Sequence, residues 1–382
     1  MLVVHGARKV DADGEVDGFW LVADDGAIIG TGTGDGWRAH VRDDAHVHNA
    51  SGRILTPGFI DLHAHGGGGA SFDDGPGAIR QALVTHRAHG TTRSVISLVA
   101  APLSELCVSL AAIASLAESD PLILGAHLEG PFLAPARRGA HKPEYLAEPS
   151  PAAVAALLDA ARGTLRQITL APELDGAFAA YDTLATAGVV LAVGHTEADE
   201  TLARAAFENG ARLLTHAFNA MPGIHHRAPG PVVAAFGDPR IVLEIILDGE
   251  HVHPDVVRLA FAAAPGRIAL VTDAMAAAGA AEGDYLLGEL AVTVRNGLAV
   301  LAGTDTIAGS TLTQDAALRI AVERVGLPLV AAVTALTLTP ARVLAREHDL
   351  GRLAVGYRAD AVLLHPDLTV DRVWAEGEPA LG

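Results

Sequence analysis

Two histidines one residue apart, His63 and His65, end the run Phe59-Ile-Asp-Leu-His-Ala-His and open onto four glycines, Gly66 to Gly69. On a strand, residues i and i+2 share a face, so both imidazoles can be presented to one point. Paired imidazoles beside a glycine loop suit a divalent cation at the rim of a sheet. An isolated His-x-His is equally well a pair of solvated side chains, and the rest of the chain has to decide. It does so by supplying ligand-type residues at equivalent places. Glu129 follows the apolar run 121–128, His195 follows 188–194, His216 ends 212–216 and Asp273 follows 268–272.

The chemistry these side chains could do is hydrolytic. Glu129 has two oxygens and can bridge two cations. His195 and His216 complete one site, and His63, His65 and Asp273 the other. A water shared between such cations has its pKa lowered towards neutrality, and Asp273 beside it can take its proton and later hand it to a leaving group. The absence of cysteine ligands argues against a purely structural zinc site. Zinc is the first expectation, with iron(II) or cobalt(II) accepted by the same donors, and one or two cations per subunit.

The elements that must position these residues are legible in the patterning. Strands are expected at 54–62, 91–98, 121–128, 167–172, 188–194, 212–216, 241–247 and 268–272. Ala/Leu-rich helices are expected at 76–89, 102–118, 150–162, 176–187, 197–209 and 254–264, with no convincing long helix in 217–240. A small β excursion over 284–308 precedes helices at 311–325 and 328–347. Eight strands alternating with helices point to a (β/α)8 TIM-type barrel, whose working face is the C-terminal edge of the strands. No G-x-G-x-x-G follows the first strand, which removes the dinucleotide-binding alternative. Both chain ends read as short strands with Asp/Gly turns, so they are expected to pair as one small β-sandwich. The expected division is 1–52 and 349–382 for the small β domain and 53–348 for the barrel.

Composition bounds the function. The chain has 382 residues, half of them hydrophobic, and a net charge of −18 from 45 acidic and 27 basic side chains. Such acidity argues against nucleic acid and anionic membrane surfaces as partners. No apolar run reaches membrane-spanning length, and no basic segment with a long apolar stretch opens the chain, so a cytoplasmic protein is expected. The lone Cys107 is expected in the core, within a helix. His5, His225 and His226 read as surface histidines.

Several motifs together carry a family resemblance. They are Pro57-Gly-Phe-Ile-Asp-Leu-His-Ala-His-Gly, His127-Leu-Glu-Gly-Pro-Phe-Leu, Arg138-Gly-Ala-His141-Lys-Pro-Glu and Gly194-His-Thr. To them are added Thr215-His-Ala-Phe-Asn-Ala-Met-Pro-Gly223, Asp248-Gly-Glu-His251-Val-His253-Pro and Val271-Thr-Asp-Ala-Met. From about Leu55 to its C-terminus the chain resembles the amidohydrolase superfamily, and within it the deacetylases of amino-sugar phosphates. The resemblance implies hydrolysis of the acetamide of N-acetyl-D-glucosamine 6-phosphate to acetate and D-glucosamine 6-phosphate. It implies Glu129, His195 and His216 as metal ligands, Asp273 as general acid/base, and His141 as the donor that stabilises the developing oxyanion. Substrate contacts implied are Ala140, Asn219, Ala220, Arg227, Asp248, His251, Ile307, Ala308 and Gly309, with His253 structural. Arg227 is implied to reach the neighbouring subunit's pocket, hence a homodimer. Two other readings stand beside this one: a different amide hydrolase or deaminase of the superfamily, and a barrel that binds metal without catalysis.

Overall fold

The computed structural model describes residues 1–380. Eight parallel strands form one sheet in chain order: strand one is Phe59–Ala64, two Thr91–Leu98, three Ile123–Glu129, four Leu165–Leu170, five Val190–Val193, six Leu213–Leu214, seven Val242–Ile246 and eight Ile268–Val271. Closure comes beyond strand eight, where Ala64 and Ala274 form a parallel bridge and the Asp273 amide donates to the His63 carbonyl at 2.8 Å. The (β/α)8 barrel is therefore as expected. Nearly every strand residue is buried, which is why these strands read as continuous apolar runs rather than alternating ones.

A helix follows each strand. Their ranges are Pro76–Ala88, Leu103–Ser119, Pro151–Ala161, Ala177–Thr186, Glu200–Glu208, Gly230–Phe236, Pro254–Ala263 and Gln314–Glu323. Starts are set locally: the Ser150 hydroxyl accepts from the Ala153 amide at 3.2 Å, and the Asp199 carboxylate from the Leu202 amide at 2.8 Å. The helix after strand six has only seven residues, in the connection where no long helix was expected. The excursion after strand eight is a three-stranded antiparallel sheet of Gly283–Leu287, Leu290–Arg295 and Leu298–Leu301.

Four expectations are corrected. The single strand expected over 54–62 is two strands in different sheets, Ile54–Pro57 and Phe59–Ala64. Gly58 makes the transfer, since a Cβ there would lie 2.2 Å from the Thr92 hydroxyl, a distance no side chain tolerates. The helix expected over 328–347 breaks at Thr337 into Leu329–Leu336 and Leu338–Val343. Pro340 has no amide hydrogen to continue the ladder across that point. Cys107 is half-buried rather than in the core, its thiol near the Ala156 carbonyl. His5 stacks on Trp37, with ring centroids 4.2 Å apart, and is also half-buried.

The chain divides into two compact units. One comprises Met1–Asp61, His86–Arg93 and Gln314–Gly382, the other Leu62–Thr85 and Ser94–Thr313. In the first, the terminal segments share one sheet, in which Ile54–Pro57 pairs antiparallel with Ala361–Leu364 and parallel with Leu2–Asp11. Alternation along Leu2–Asp11 feeds two cores: Leu2 and Val4 pack with Leu21, Leu55, Leu363 and Trp374, while Val3 packs with Trp20, Val22 and Trp37. No helix among the described residues is long and apolar enough to cross a membrane.

A buried ion pair anchors this unit. The guanidinium of Arg93, 1% exposed, donates to both Asp360 oxygens at 2.6 and 3.1 Å and to Glu376 at 3.2 Å. Burial works against the charge, and the Asp360 carboxylate more than compensates, raising the Arg93 pKa. Removing one partner of such a pair strands the other. Asp360→Ala is expected to cost about 3–5 kcal/mol in denaturant unfolding.

Candidate metal centre

Six candidate ligands lie at or just beyond the C-terminal ends of five strands, all in the second unit. His63 is the last residue but one of strand one with His65 just after the strand, Glu129 ends strand three, and His195, His216 and Asp273 each sit two residues past strands five, six and eight. The last three have positive φ, 45° for His195, 26° for His216 and 48° for Asp273. Non-glycine residues adopt that conformation only where the surroundings enforce it. Here each is tied by a backbone hydrogen bond: the Ala134 amide donates to the His195 carbonyl at 2.9 Å, the Asn219 amide to the His216 carbonyl at 3.0 Å, and the Ser310 amide to the Asp273 carbonyl at 2.7 Å. Gly194 permits the approach of strand five, since a Cβ would lie 2.7 Å from that of Thr215.

Glu129 is the meeting point. Its Oε1 lies 3.0 Å from His216 Nε2, 3.1 Å from His195 Nε2 and 3.4 Å from His63 Nε2. Its Oε2 lies 3.1 Å from His65 Nε2 and 3.3 Å from His141 Nε2. Asp273 Oδ1 is 3.3 Å from His65 Nε2 and 3.5 Å from His63 Nε2. All of these side chains are buried. Burial pushes the Glu129 carboxyl up, but the imidazoles gathered around it, His63 foremost, carry it well below the usual range. Asp273 is lowered in the same way, against burial, by His63 and His65.

The far side of each ring decides what its Nε2 can do. His195 Nδ1 lies 2.8 Å from the Arg137 carbonyl, and a carbonyl only accepts, so Nδ1 carries the hydrogen and Nε2 keeps its lone pair. His63 Nδ1 lies 3.2 Å from Glu244 Oε2, with the same consequence. His141 is the opposite case. The Ala100 amide donates to its Nδ1 at 3.1 Å, so in the neutral ring Nε2 is the N–H. Burial lowers the His141 pKa, which keeps the ring neutral. As neutral rings, His141 is thus a donor facing the cavity, whereas His63 and His195 present lone pairs.

These donors fit a divalent cation. The Nε2 atoms of His63 and His65 lie 3.1 Å apart, and those of His195 and His216 3.0 Å apart. Glu129, Asp273 and the buried Glu244 bring three carboxylates into one floor. Ligand atoms of His63, His65, Glu129 and Asp273 all lie within 4.8 Å of one another, as do those of Glu129, His141 and His195. The Nε2–H of His141 removes it from the second set as a ligand. His216 meets the same Glu129 oxygen as His195, at 3.0 Å.

A cavity of about 300 Å³ opens above the cluster. Of the expected substrate residues, Ala140, His141, Asn219, Ala220, His251, Ile307 and Gly309 line it. Ala308 is buried behind the lining, and Asp248 acts on it through His251, whose Nδ1 lies 2.6 Å from Asp248 Oδ2. Arg227 is exposed in the loop after strand six and does not line its own chain's cavity. His253 caps the helix Pro254–Ala263, its Nδ1 accepting from the Asp255 amide.

Three residues escaped the sequence reading. Arg137 lines the cavity and holds His195 through its carbonyl. His127 sits beneath His63, ring centroids 4.6 Å apart, with Ser97 Oγ and Thr169 Oγ1 each 2.9 Å from its nitrogens. Burial, with the His63 charge adding to it, holds its pKa well below the ordinary value. Glu244 contacts His63 from strand seven. His127 lay in a quoted motif, but neither it nor Glu244 stands at a strand end, the signal that found the others.

The Amidohydrolase family profile matches residues 54–380. The chain is 39% identical over 383 residues to the N-acetylgalactosamine-6-phosphate deacetylase of Escherichia coli O157:H7, covering 99% of each. It is 37% identical over 347 residues to the N-acetylglucosamine-6-phosphate deacetylase of Homo sapiens, covering 86% of this chain and 84% of that one. Among solved structures, a mutant N-acetyl-D-glucosamine-6-phosphate deacetylase of Mycobacterium smegmatis in complex with N-acetyl-D-glucosamine-6-phosphate is similar with a TM-score of 0.94. Its identity is 40%, covering 100% of this chain and 99% of that chain.

The Asp248–His251 pair yields a pH prediction. Burial lowers the His251 pKa, and the hydrogen bond and charge of Asp248 outweigh it, leaving the pKa above the ordinary 6.5. A raised pKa stabilises the fold fully below the unfolded value and ceases to as pH rises through the folded one. The stability gap between wild type and Asp248→Asn is therefore expected to narrow as pH rises above about 6.5, read by thermal unfolding across that range.

Proposed function

With membership of the amidohydrolase family as the premise, we propose that this chain hydrolyses the acetamide of N-acetyl-D-glucosamine 6-phosphate to acetate and D-glucosamine 6-phosphate. The observation that carries the proposal is the opposed polarity of the imidazoles around Glu129: lone pairs from His63 and His195, and an N–H from His141. An amide hydrolase needs both, the first to hold a cation and the second to meet a carbonyl oxygen as it gains charge.

Glu129, His195 and His216 would hold one divalent cation, and His63, His65 and Asp273, sharing Glu129, a second; zinc is the metal proposed. Bound there, the cation supplies Lewis acidity that brings the pKa of water towards neutrality. Asp273 takes the proton of the attacking water and returns it to the departing amine. His141 donates Nε2–H to the acetamide oxygen. Asn219, Ala220 and His251, fixed by Asp248, receive the phosphate, and Ala140, Ile307, Ala308 and Gly309 border the sugar. Arg227, outside its own cavity, serves the neighbouring subunit of a homodimer. The hydrolase barrel is taken as 53–348, with 1–52 and 349–382 as one small β domain, and the enzyme as cytoplasmic.

N-acetylgalactosamine 6-phosphate is the second reading, favoured by the full-length match to the Escherichia coli relative named for that substrate. Acetate release from the two epimers and from unphosphorylated N-acetylglucosamine, with metal analysis of the same sample, tests both. Preference for the phosphorylated sugars supports the proposal, and equal rates without phosphate defeat it. Asp273→Asn is expected to lower kcat by about 10²–10⁴ while folded chain remains, measured beside its metal content. Arg227→Ala is expected to raise KM for the phosphorylated sugar only. An unchanged KM favours a hydrolase with no phosphate pocket.

A further inference from the structure

Below the metal ligands lies a carboxylate that takes no part in the chemistry above. Glu244 points into the barrel from strand seven and is fully buried. Among the described residues its ion pair is with His63 alone, Nδ1 to Oε2 at 3.2 Å. The same oxygen lies 3.4 Å from the His216 amide nitrogen, and the other accepts from Gln167 Nε2 at 2.8 Å. A carboxylate at such depth is costly unless its lone pairs are met and a positive charge is near. Gln167, the His216 amide and the His63 ring meet the lone pairs. Positive charge reaches it by way of the His63 ring.

We propose that Glu244, held by Gln167, is the positioning residue that fixes His63 with Nε2 as a lone-pair donor and so determines cation occupancy on the His63/His65 side of the centre. An acceptor-only group at Nδ1 forces the hydrogen there and raises the basicity of Nε2. Without it the ring can reverse its tautomer, turning an N–H towards the cation position, or swing towards His127, whose ring it already meets edge-on at 4.6 Å. His195 has its own anchor in the Arg137 carbonyl, so the Glu129/His195/His216 side does not depend on Glu244 in this way. The inference rests on the hydrolase reading only in that the reading needs cations here.

The test is zinc binding by the full chain, stripped with chelator and titrated without substrate, with metal-per-chain analysis and the cobalt(II) absorption spectrum as a second readout. Wild type is expected to take two cations. Glu244→Met is expected to weaken one of them ~10–100-fold, leaving the other unchanged and altering one of two cobalt signatures. Glu244→Gln keeps an oxygen for His63, because Gln167 can turn its unpartnered Oε1 to accept from the new amide, so it is expected to retain most of the second affinity. A wild type that saturates at one cation overturns the inference, as does Glu244→Met binding two cations as tightly as wild type. Equal losses in the Met and Gln variants also overturn it, since they mark lost charge or packing rather than lost orientation. Should Glu244→Met fail to fold, Gln167→Met carries the same test, with a selective loss of one cation supporting the inference and unchanged affinities overturning it. Since no substrate is present, failure here is separate from failure of wild type to release acetate.

Discussion

The buried carboxylate of Glu129 is the constraint to which the rest of the structure answers. Four imidazoles stand within 3.3 Å of its two oxygens, and a fifth, His63, at 3.4 Å. Alone in the interior it would be protonated; in this company it is held ionised. The imidazoles in turn are useful only because their outer nitrogens are assigned. A backbone carbonyl behind His195, a carboxylate behind His63 and an amide N–H behind His141 make three chemically identical rings into two lone-pair donors and one N–H donor.

Such assignment needs a rigid frame, and the barrel supplies it at the strand ends. Three ligand positions are left-handed, a conformation that costs of order 1–3 kcal/mol each for residues other than glycine. Strand pairing and the loop hydrogen bonds at Ala134 and Ser310 hold the backbone there. The cost falls at the site and is offset by the large apolar core, an arrangement common where geometry serves chemistry.

Charge is distributed to the same end. The chain as a whole is strongly acidic, which disfavours anionic partners in general. At the cavity, however, the lining includes Arg137 and His251, the latter with its pKa raised by Asp248. Local groups at the cavity thus offset the acidic field of the rest of the chain.

Sequence alone determined the barrel, the terminal sheet and which side chains gather at the strand ends, because these are matters of period and position. Apolar runs spaced by helices specify strands, and polar residues behind those runs must fall on one rim; His63, His65, Glu129, His195, His216 and Asp273 were all found that way. The split at Gly58, the break at Thr337 and the tautomers of His63, His141 and His195 were decided only by the tertiary structure. So was the place of Glu244, which within its run reads as one charge in an apolar strand. Its partner His63 is 181 residues away, and those of His127 are 30 and 42 residues off. Local patterning states which face a side chain takes, but barrel closure chooses what stands opposite it, and at this site the opposite neighbour sets which nitrogen carries the proton.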